Sequence, residues 1–265
     1  MTLNSKNWQY GPDHVIPSNV FVVSKIDGLV KLRYLNDEDE KRYPPLSVYT
    51  MMKVTCENNP EHLAHVTFNG DNIDTIMTYG DYWKLVMRST KSLIKIGVDN
   101  LTCVSIYGRN SSKYLIAELG IIFSNAVFNG FSVRSSLEWM EIPLVQTNCD
   151  IIFVHDSNYA GKILEIKKFN FKFIIQMHGE LSEQHKNIKN IIDWNTFMQL
   201  GDSIEDDLLD QRIKSIAPNK CAILTSTSGT TGILRKNHIY KLGNRNYILN
   251  ILKVYQNCVC IAMIT

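Results

Sequence analysis

The sequence has no excess of basic residues. Its 265 residues carry 28 lysines and arginines against 26 acids, a formal net charge of +2. Proteins that bind nucleic acid through its phosphates need a clear basic excess or a basic patch. The composition therefore argues against nucleic acid as the main partner.

Paired cysteine motifs are also missing. The six cysteines are scattered along the chain, and none forms a C-x-x-C pair. Disulfide frameworks are typical of small secreted domains, which this chain does not resemble in size or cysteine content. Reduced thiols and a cytoplasmic location are therefore expected.

Long uninterrupted apolar runs are absent from the sequence. The first ten residues, MTLNSKNWQY, contain no apolar core, so no signal peptide is predicted. The most apolar window, residues 247–264, is interrupted by Asn250, Lys253, Gln256 and Asn257. This window is too short and too polar for a membrane span. Peripheral association with the endoplasmic reticulum or another membrane remains open.

The sequence lacks the common motifs of nucleophilic and metal-assisted catalysis. No G-x-S-x-G elbow is present, and Ser111 or Ser112 is interpreted as a helix cap. His62 and His65 have the spacing of a helical metal site, but HLAHVTF is typical of a strand, which would point them to opposite sides. Because no cysteine or acid cluster completes a site, both are interpreted as surface histidines.

What the sequence does contain is an alternation of predicted strands and helices. Strands are expected at TCVSIY (102–107), DIIFVHD (150–156), FKFIIQM (171–177) and CAILT (221–225), with a shorter one at LVKLRY (29–34). Helices are expected over residues 78–97, from Ser111 or Ser112 to Phe123, and around residues 160–168. A further helix is expected after Ser203, where Asp206 completes a capping-box spacing. This alternation predicts an α/β fold with a mostly parallel sheet and flanking helices.

Three regions of the chain are distinguished by pattern. Residues 1–48 look irregular, and the run LNDEDEKRYPP within them is typical of a solvated loop. Residues 49–240 contain the alternating strands and helices. Residues 241–265 form a divergent tail in which the pattern becomes irregular.

A run of hydroxyl and glycine residues follows the strand at 221–225. Glycines at this kind of turn allow the backbone to approach a ligand, and successive amide N–H groups can form an anion nest. Positive charge lies just beyond, at Arg235 and Lys236. The chemistry suits a polyphosphate, although the run is not the G-x-x-x-x-G-K-[ST] phosphate loop. Residue chemistry alone leaves a polar hairpin turn with no ligand equally open. The run consists of Thr227, Ser228, Gly229, Thr230, Thr231 and Gly232.

The run TSGTTG resembles the phosphate-binding loop of adenylate-forming (AMP-binding) enzymes, which include acyl-CoA synthetases and luciferases. Over residues 26–236 the segments GLVKLRY, MTYGDYWKLVMRSTKSLIKIGV, VSIYGRNSSKYLIAELGIIFSNAV and CDIIFVHD are similar to the N-terminal part of long-chain fatty-acid–CoA ligases. Their order and spacing look closest to the bubblegum-type, very-long-chain branch. The resemblance makes residues 49–240 a partial AMP-binding domain.

The resemblance implies a two-step activation of a fatty acid. A carboxylate attacks the α-phosphate of ATP to give an acyl-adenylate, and the thiol of coenzyme A then takes the acyl group. By position, residues 227–232 would wrap the phosphates, with Thr230 on the side of Mg²⁺. Arg235 stands where the family usually has a lysine, and its planar guanidinium is not equivalent to that point charge.

The resemblance also carries an expectation about activity. The segment after residue 237 does not resemble the family's usual continuation, which holds the adenine pocket and a catalytic lysine. We therefore expect the 265-residue chain to turn over poorly. Two alternatives stay open: a non-catalytic relative that binds nucleotide weakly or pairs with a full-length paralogue, and a fragment without a stable fold.

Overall fold

The computed structural model describes residues 11–23, 25–34, 36, 38, 45–69, 72–167, 169–225 and 238–240. The helices are α1 (Val48–Asn58), α2 (Tyr79–Lys95), α3 (Ser112–Phe123), α4 (Leu137–Thr147), α5 (Ser157–Leu164), α6 (Glu183–Lys186), α7 (Trp194–Leu200) and α8 (Asp206–Lys214), with a 3₁₀ turn at Gly201–Ser203. The strands are β1 (Leu63–Asn69), β2 (Asn72–Thr78), β3 (Cys103–Tyr107), β4 (Val127–Phe131), β5 (Ile151–Val154), β6 (Phe173–Gln176), β7 (Ile191–Asp193), β8 (Ile223–Thr225) and β9 (His238–Tyr240).

Seven of these strands form one sheet, in the order β7-β6-β5-β3-β4-β8-β9. Every neighbouring pair is parallel except β8 and β9, which are antiparallel. The first two strands form a separate antiparallel hairpin. The prediction of an α/β fold with a mostly parallel sheet and flanking helices is confirmed.

Both faces of the sheet are covered, and β3 shows how its residues divide between them. Val104 and Ile106 belong to a core shared with α2, α3 and α7. Cys103 and Tyr107 belong to a second core on the other face, shared with α4 and α5. Parallel strands covered on both faces are apolar throughout, which explains why this strand could be recognised from a continuous run.

The helices on the first face begin where the sequence predicts. The Thr78 hydroxyl accepts a hydrogen bond from the Asp81 backbone N–H (3.2 Å) and donates one to the Asp81 carboxylate (3.0 Å) at the start of α2. The Ser111 hydroxyl accepts from the Tyr114 N–H (3.2 Å) at the start of α3. The bonds to the Thr78 and Ser111 hydroxyls each satisfy a helix N–H group that has no partner within the helix.

Two local predictions are wrong. Residues 29–34 do not form a strand, because Val30 and Lys31 donate their backbone N–H groups to Asn219 and to Val20 rather than to a strand. Ser203 does not cap α8, which begins at Asp206 without a side-chain cap. The Ser203 hydroxyl donates instead to the carbonyl of Leu200 (3.1 Å), within the 3₁₀ turn.

The N-terminal region is bound to the segment that precedes β8. The side chain of Asn219 is fully buried and accepts a hydrogen bond from the Ile16 N–H (3.1 Å). Its amide donates to the carbonyls of Ile16 (2.8 Å) and Val30 (2.9 Å). The Asn219 side chain therefore binds two parts of the irregular N-terminal region to the segment that leads into β8.

Among the described residues, no helix combines the length and the apolar composition needed to cross a membrane.

Candidate functional site

The predicted phosphate loop is bounded by two paired strands. Thr225 at the end of β8 lies opposite His238 at the start of β9, and Ile223 lies opposite Tyr240. β8 and β9 are therefore neighbours in the sheet. Residues 226–237 connect two adjacent antiparallel strands, an arrangement that agrees with the polar hairpin turn left open by the residue chemistry.

The predicted site residues themselves lie outside the described residues. What the structure shows is the position of the strand that leads into them. The residues concerned are Thr227, Ser228, Gly229, Thr230, Thr231, Gly232 and Arg235.

β8 enters the loop at the carboxyl edge of the parallel sheet. It pairs with β4 through Phe128 opposite Ile223 and Asn129 opposite Leu224. Ligands of open α/β sheets bind outside the carboxyl ends of the strands. The loop therefore begins on the side of the sheet where a ligand is expected.

Buried polar side chains connect β4 to the strands beyond it. The Asn129 side-chain amide donates to the Ser105 hydroxyl on β3 (3.1 Å), and that hydroxyl lies 3.0 Å from the Cys149 sulfur. All three side chains are almost completely buried. Burial raises the pKa of the Cys149 thiol well above its usual range, so the thiol stays protonated and serves packing rather than nucleophilic chemistry.

Gly130 at the end of β4 makes room for an aromatic side chain from α3. A Cβ atom at Gly130 would lie 3.0 Å from the Tyr114 hydroxyl oxygen and 2.8 Å from Cζ of Phe128. One turn along α3, burial raises the pKa of the Glu118 carboxyl to about 7. This acid also raises the pKa of Tyr114, after the larger effect of burial.

A second polar cluster lies at the point where the strand order reverses. The strands β4-β3-β5-β6-β7 follow the order 2-1-3-4-5, so the chain moves in opposite directions on the two sides of β3 and β5. In folds with this order, ligands bind in the crevice between the corresponding strands. The segments that follow β3, β5 and β6 supply Arg109, Ser111, His155 and His178 here.

Close contacts join the members of this cluster. The Nε2 atom of His178 lies 2.9 Å from the Ser111 hydroxyl, and the two histidine rings are 4.5 Å apart between centroids. Lys113 donates from Nζ to the carbonyl of Met177 (2.8 Å). Within the described part of the chain, the buried Nδ1 atom of His155 has no hydrogen-bond partner.

The electrostatics of the cluster limit what it can bind. Burial, followed by the neighbouring His155 and Lys113, lowers the pKa of His178 to about 4. Burial also lowers the pKa values of His155 and Lys113. Both imidazoles are therefore neutral near pH 7, so they offer hydrogen bonds but no charge to an anion.

His65 is a buried residue, and its interpretation as a surface histidine is wrong. Its side chain is 6% exposed, its Nδ1 atom lies 3.1 Å from the Ser112 hydroxyl, and its ring meets the Tyr82 ring edge-on. The prediction of a strand for this segment is confirmed by β1, one face of which packs on the core. A strand that packs on a core buries one of its alternating sides, but the sequence does not show which side, because that depends on the contacts with α2 and α3.

The described residues contain no metal-binding cluster, and a cavity among them lies away from the carboxyl edge of the sheet. Across the described residues, no group of three or more histidine, cysteine or acidic side chains could hold a metal ion. A shallow cavity of about 220 Å³ is lined by Ile163, Phe171 and Asn190, among others. These residues lie near the amino ends of β6 and β7, away from the loop.

The sequence matches a known protein family over most of its length. Residues 52–234 match the family described as AMP-binding enzyme. The chain is 34% identical over 208 residues to the long-chain-fatty-acid–CoA ligase ACSBG2 of Xenopus laevis, covering 78% of this chain and 28% of that protein. It is 32% identical over 209 residues to ACSBG2 of Mus musculus, covering 78% of this chain and 31% of that protein.

Solved structures show the same fold at lower identity. The anthranilate CoA ligase AuaEII, solved in complex with anthranoyl-AMP, superimposes with a TM-score of 0.57 at 16% identity, covering 69% of this chain and 32% of that one. The chain therefore spans less than a third of the length of the curated relatives that it matches.

Proposed function

The chain belongs to the AMP-binding enzyme family, and on that premise we propose that residues 227–232 bind the phosphates of ATP in a fatty-acid–CoA ligase reaction. The observation that carries this proposal is the pairing of β8 with β4 and β9. Because of this pairing, β8 ends at the carboxyl edge of the sheet immediately before the hydroxyl- and glycine-rich run. β9, which follows the run in the sequence, lies beside β8. The resemblance of the sequence to the N-terminal part of the bubblegum-type ligases is confirmed by the named relatives.

The residues of the loop fit a polyphosphate by their donor chemistry. Gly229 and Gly232 allow backbone N–H groups to turn toward an anion without a Cβ atom in the way. The hydroxyls of Thr227, Ser228 and Thr231 add neutral hydrogen-bond donors.

Charge near the loop completes the proposed site. Thr230 is assigned the contact with Mg²⁺, since a threonine hydroxyl is a hard oxygen ligand. Arg235 is assigned to the phosphates, where a guanidinium always carries its positive charge. Reactions of this type need positioning and charge neutralisation more than covalent help from the protein.

The substrate class follows from the names of the relatives. Both relatives described above are named long-chain-fatty-acid–CoA ligases. We propose the same substrates, a long-chain fatty acid and coenzyme A, for the reaction in which this chain takes part. ATP would supply the adenylyl group that activates the carboxylate.

A second candidate function is favoured by Arg235, which stands where the family usually has a lysine. A planar guanidinium is not equivalent to the point charge of an ammonium, so the site could bind phosphates without supporting turnover. A non-catalytic relative would keep the phosphate loop, bind ATP weakly, and act by pairing with a full-length ligase. Both candidates require the loop to bind nucleotide, and they differ in turnover.

Calorimetry with Mg·ATP and an assay of pyrophosphate release test the two candidates together. We expect the 265-residue chain to bind ATP and to release little pyrophosphate with long-chain acids. The double variant Thr230→Ala, Gly232→Ala should lower the affinity for ATP by at least about tenfold. The loop loses the hydroxyl assigned to Mg²⁺, and a Cβ atom at residue 232 keeps the backbone N–H groups away from the phosphates. The matched control, Thr67→Ala with Gly161→Ala, changes a strand and a helix away from the loop and should bind normally.

Each outcome of this experiment has a distinct meaning. Absence of ATP binding by the unchanged chain, or equal binding by the loop variant, would refute the assignment of the phosphates to residues 227–232. Rapid pyrophosphate release that the loop variant abolishes would support the loop and exclude the non-catalytic candidate.

A further inference from the structure

An exposed apolar loop lies in the N-terminal region. Val20, Phe21 and Val22 are consecutive, and their side chains are 51%, 45% and 78% exposed. Scattered apolar residues on a surface need no explanation, but a contiguous group of this kind marks a site of contact with another molecule or a membrane.

Hydrogen bonds close this loop at its base. The backbone N–H of Lys31 donates to the carbonyl of Val20 (2.7 Å), and the Ser18 hydroxyl donates to the carbonyl of Leu29 (2.9 Å). Inside the loop, the Gly28 N–H donates to the carbonyl of Lys25 (3.2 Å), and Val23 packs against Gly28. The exposed residues therefore sit on a closed loop with internal contacts.

The base of the loop is also attached to the α/β domain. The buried Asn219 side chain bonds to Ile16 before the loop and to Val30 at its end. Val20, at the closed base, and the neighbouring Phe21 and Val22 are therefore held in place before any partner arrives, so little conformational entropy remains to be lost on docking.

Cationic side chains lie beside these apolar residues. The Arg33 guanidinium lies 4.6 Å and the Lys31 ammonium 5.6 Å from the centre of the Phe21 ring. Lys25 is exposed on the same loop, where Asp27 is the single acid among residues 18–34 of the described chain. A group of exposed apolar residues with cations beside it matches the acyl region and the anionic headgroups of a lipid surface, because long basic side chains can keep their charge at the headgroups while the apolar residues insert.

A second exposed apolar surface serves as a contrast. On the β1–β2 hairpin, Phe68 lies opposite Ile73 and Val66 opposite Ile76, and Phe68, Ile73 and Ile76 are 64%, 58% and 64% exposed. The charged residue between these positions on β2 is Asp74, an acid, which a negatively charged surface would repel. Apolar exposure alone does not distinguish the two surfaces, but charge does.

We propose that the loop of residues 18–33 docks this protein on an anionic lipid surface, with Val20, Phe21 and Val22 inserted among the lipids and Lys25, Lys31 and Arg33 at the headgroups. These residues differ from residues 227–232, to which ATP binding is assigned under the proposed function, so vesicle binding can be measured without turnover.

Sedimentation of the 265-residue chain with vesicles tests the docking surface. The chain should bind vesicles that contain phosphatidylserine and phosphatidylcholine, and bind phosphatidylcholine alone far less. Reversal of two cations in the variant Lys31→Glu, Arg33→Glu should lower the partition coefficient by at least about 25-fold, at about fivefold for each cation near an anionic surface. The control Lys53→Glu, Lys84→Glu reverses two exposed cations elsewhere and should have a much smaller effect.

The apolar contribution is tested separately. Val22→Ser changes the most exposed of the three apolar residues, so the fold should be unaffected while the partition coefficient for anionic vesicles falls several-fold. The hairpin control Phe68→Ser, Ile73→Ser removes more exposed apolar surface and should leave partitioning unchanged. Near-ultraviolet circular dichroism confirms that each variant is folded.

Three outcomes would overturn the proposal. One is equal binding to neutral and anionic vesicles, and the second is equal loss of binding in the hairpin control and the loop variants. The third is no vesicle binding by the unchanged chain, which would assign the exposed residues Val20, Phe21 and Val22 to a protein partner instead.

Discussion

The two ends of β8 differ in what surrounds them. At the amino end, Asn219 and Lys220 are buried and bonded to backbone carbonyls of the N-terminal region and of α8's last turn. At the carboxyl end, the strand leads into a run of hydroxyl and glycine residues. The protein's own contacts therefore fix the amino end of the strand, and a preorganised site requires a rigid element of this kind to support it.

The largest expected effect comes from releasing the amino end. Asn219→Ala removes three hydrogen bonds and leaves the N–H of Ile16 and the carbonyls of Ile16 and Val30 without their partner. Urea denaturation should show a loss of about 2–4 kcal/mol. The exposed Asn187→Ala control should change stability by less than about 0.5 kcal/mol.

If Asn219 fixes the N-terminal region, its loss should also expose that region to proteolysis. Trypsin should cut the variant after Lys25 or Lys31 faster than it cuts the unchanged chain. Equal cutting rates would mean that the N-terminal region is held by other contacts, and the comparison between the two ends of β8 would lose its structural basis.

Disturbing the carboxyl end should have a smaller effect. Gly130→Ala places a Cβ atom against Phe128 and Tyr114 beside β8 and should cost about 1–3 kcal/mol by overpacking. Gly161→Ala is the matched control, because nothing lies within 4 Å of its Cβ position in α5. This control should stabilise the protein by about 0.5–1 kcal/mol, and a similar loss in both variants would contradict the packing argument.

The sequence predicts the regular parts of this fold well, for physical reasons. β3, β5 and β6 are buried on both faces, so their sequences are continuous apolar runs. The capping residues Thr78 and Ser111 mark the starts of α2 and α3. α4 is missed because Pro143 lies inside it, and β4 because Asn129 and Gly130 interrupt its apolar pattern.

The candidate site is predictable in part. The strand that precedes the loop follows from CAILT, but its pairing with β9 requires contacts that no local pattern contains. Asn219 is missed because its three side-chain bonds reach residues about 190–200 positions away. His65 is missed because burial of one face of β1 depends on α2 and α3, which lie elsewhere in the sequence.

Lys220 gives the smallest predicted effect and a test in pH. Burial, followed by the nearby Arg212, lowers the pKa of its ammonium to about 7 from the usual 10.5. The unfolded chain therefore binds more protons than the folded chain between pH 7 and 10.5, and stability should rise with pH in this window. Between pH 7 and 9, the unchanged chain should gain about 1–2 kcal/mol more than the variant Lys220→Met.

A measurement of unfolding free energy at several pH values decides this prediction. Since Lys220 donates to the carbonyl of Ser215 (2.6 Å), the variant will differ in absolute stability, and the slope with pH is the informative quantity. The same slope in both proteins would show that the ammonium is not desolvated at the amino end of β8.

The central claim is that the loop after β8, and not the polar cluster between β3 and β5, binds ATP. Backbone amide NMR shifts of the isotope-labelled chain, recorded during titration with Mg·ATP, test it most directly. The account predicts the largest changes at residues 229–232 and little change near Ser111 and His178. Changes concentrated near Ser111 and His178, with residues 229–232 unaffected, would contradict it.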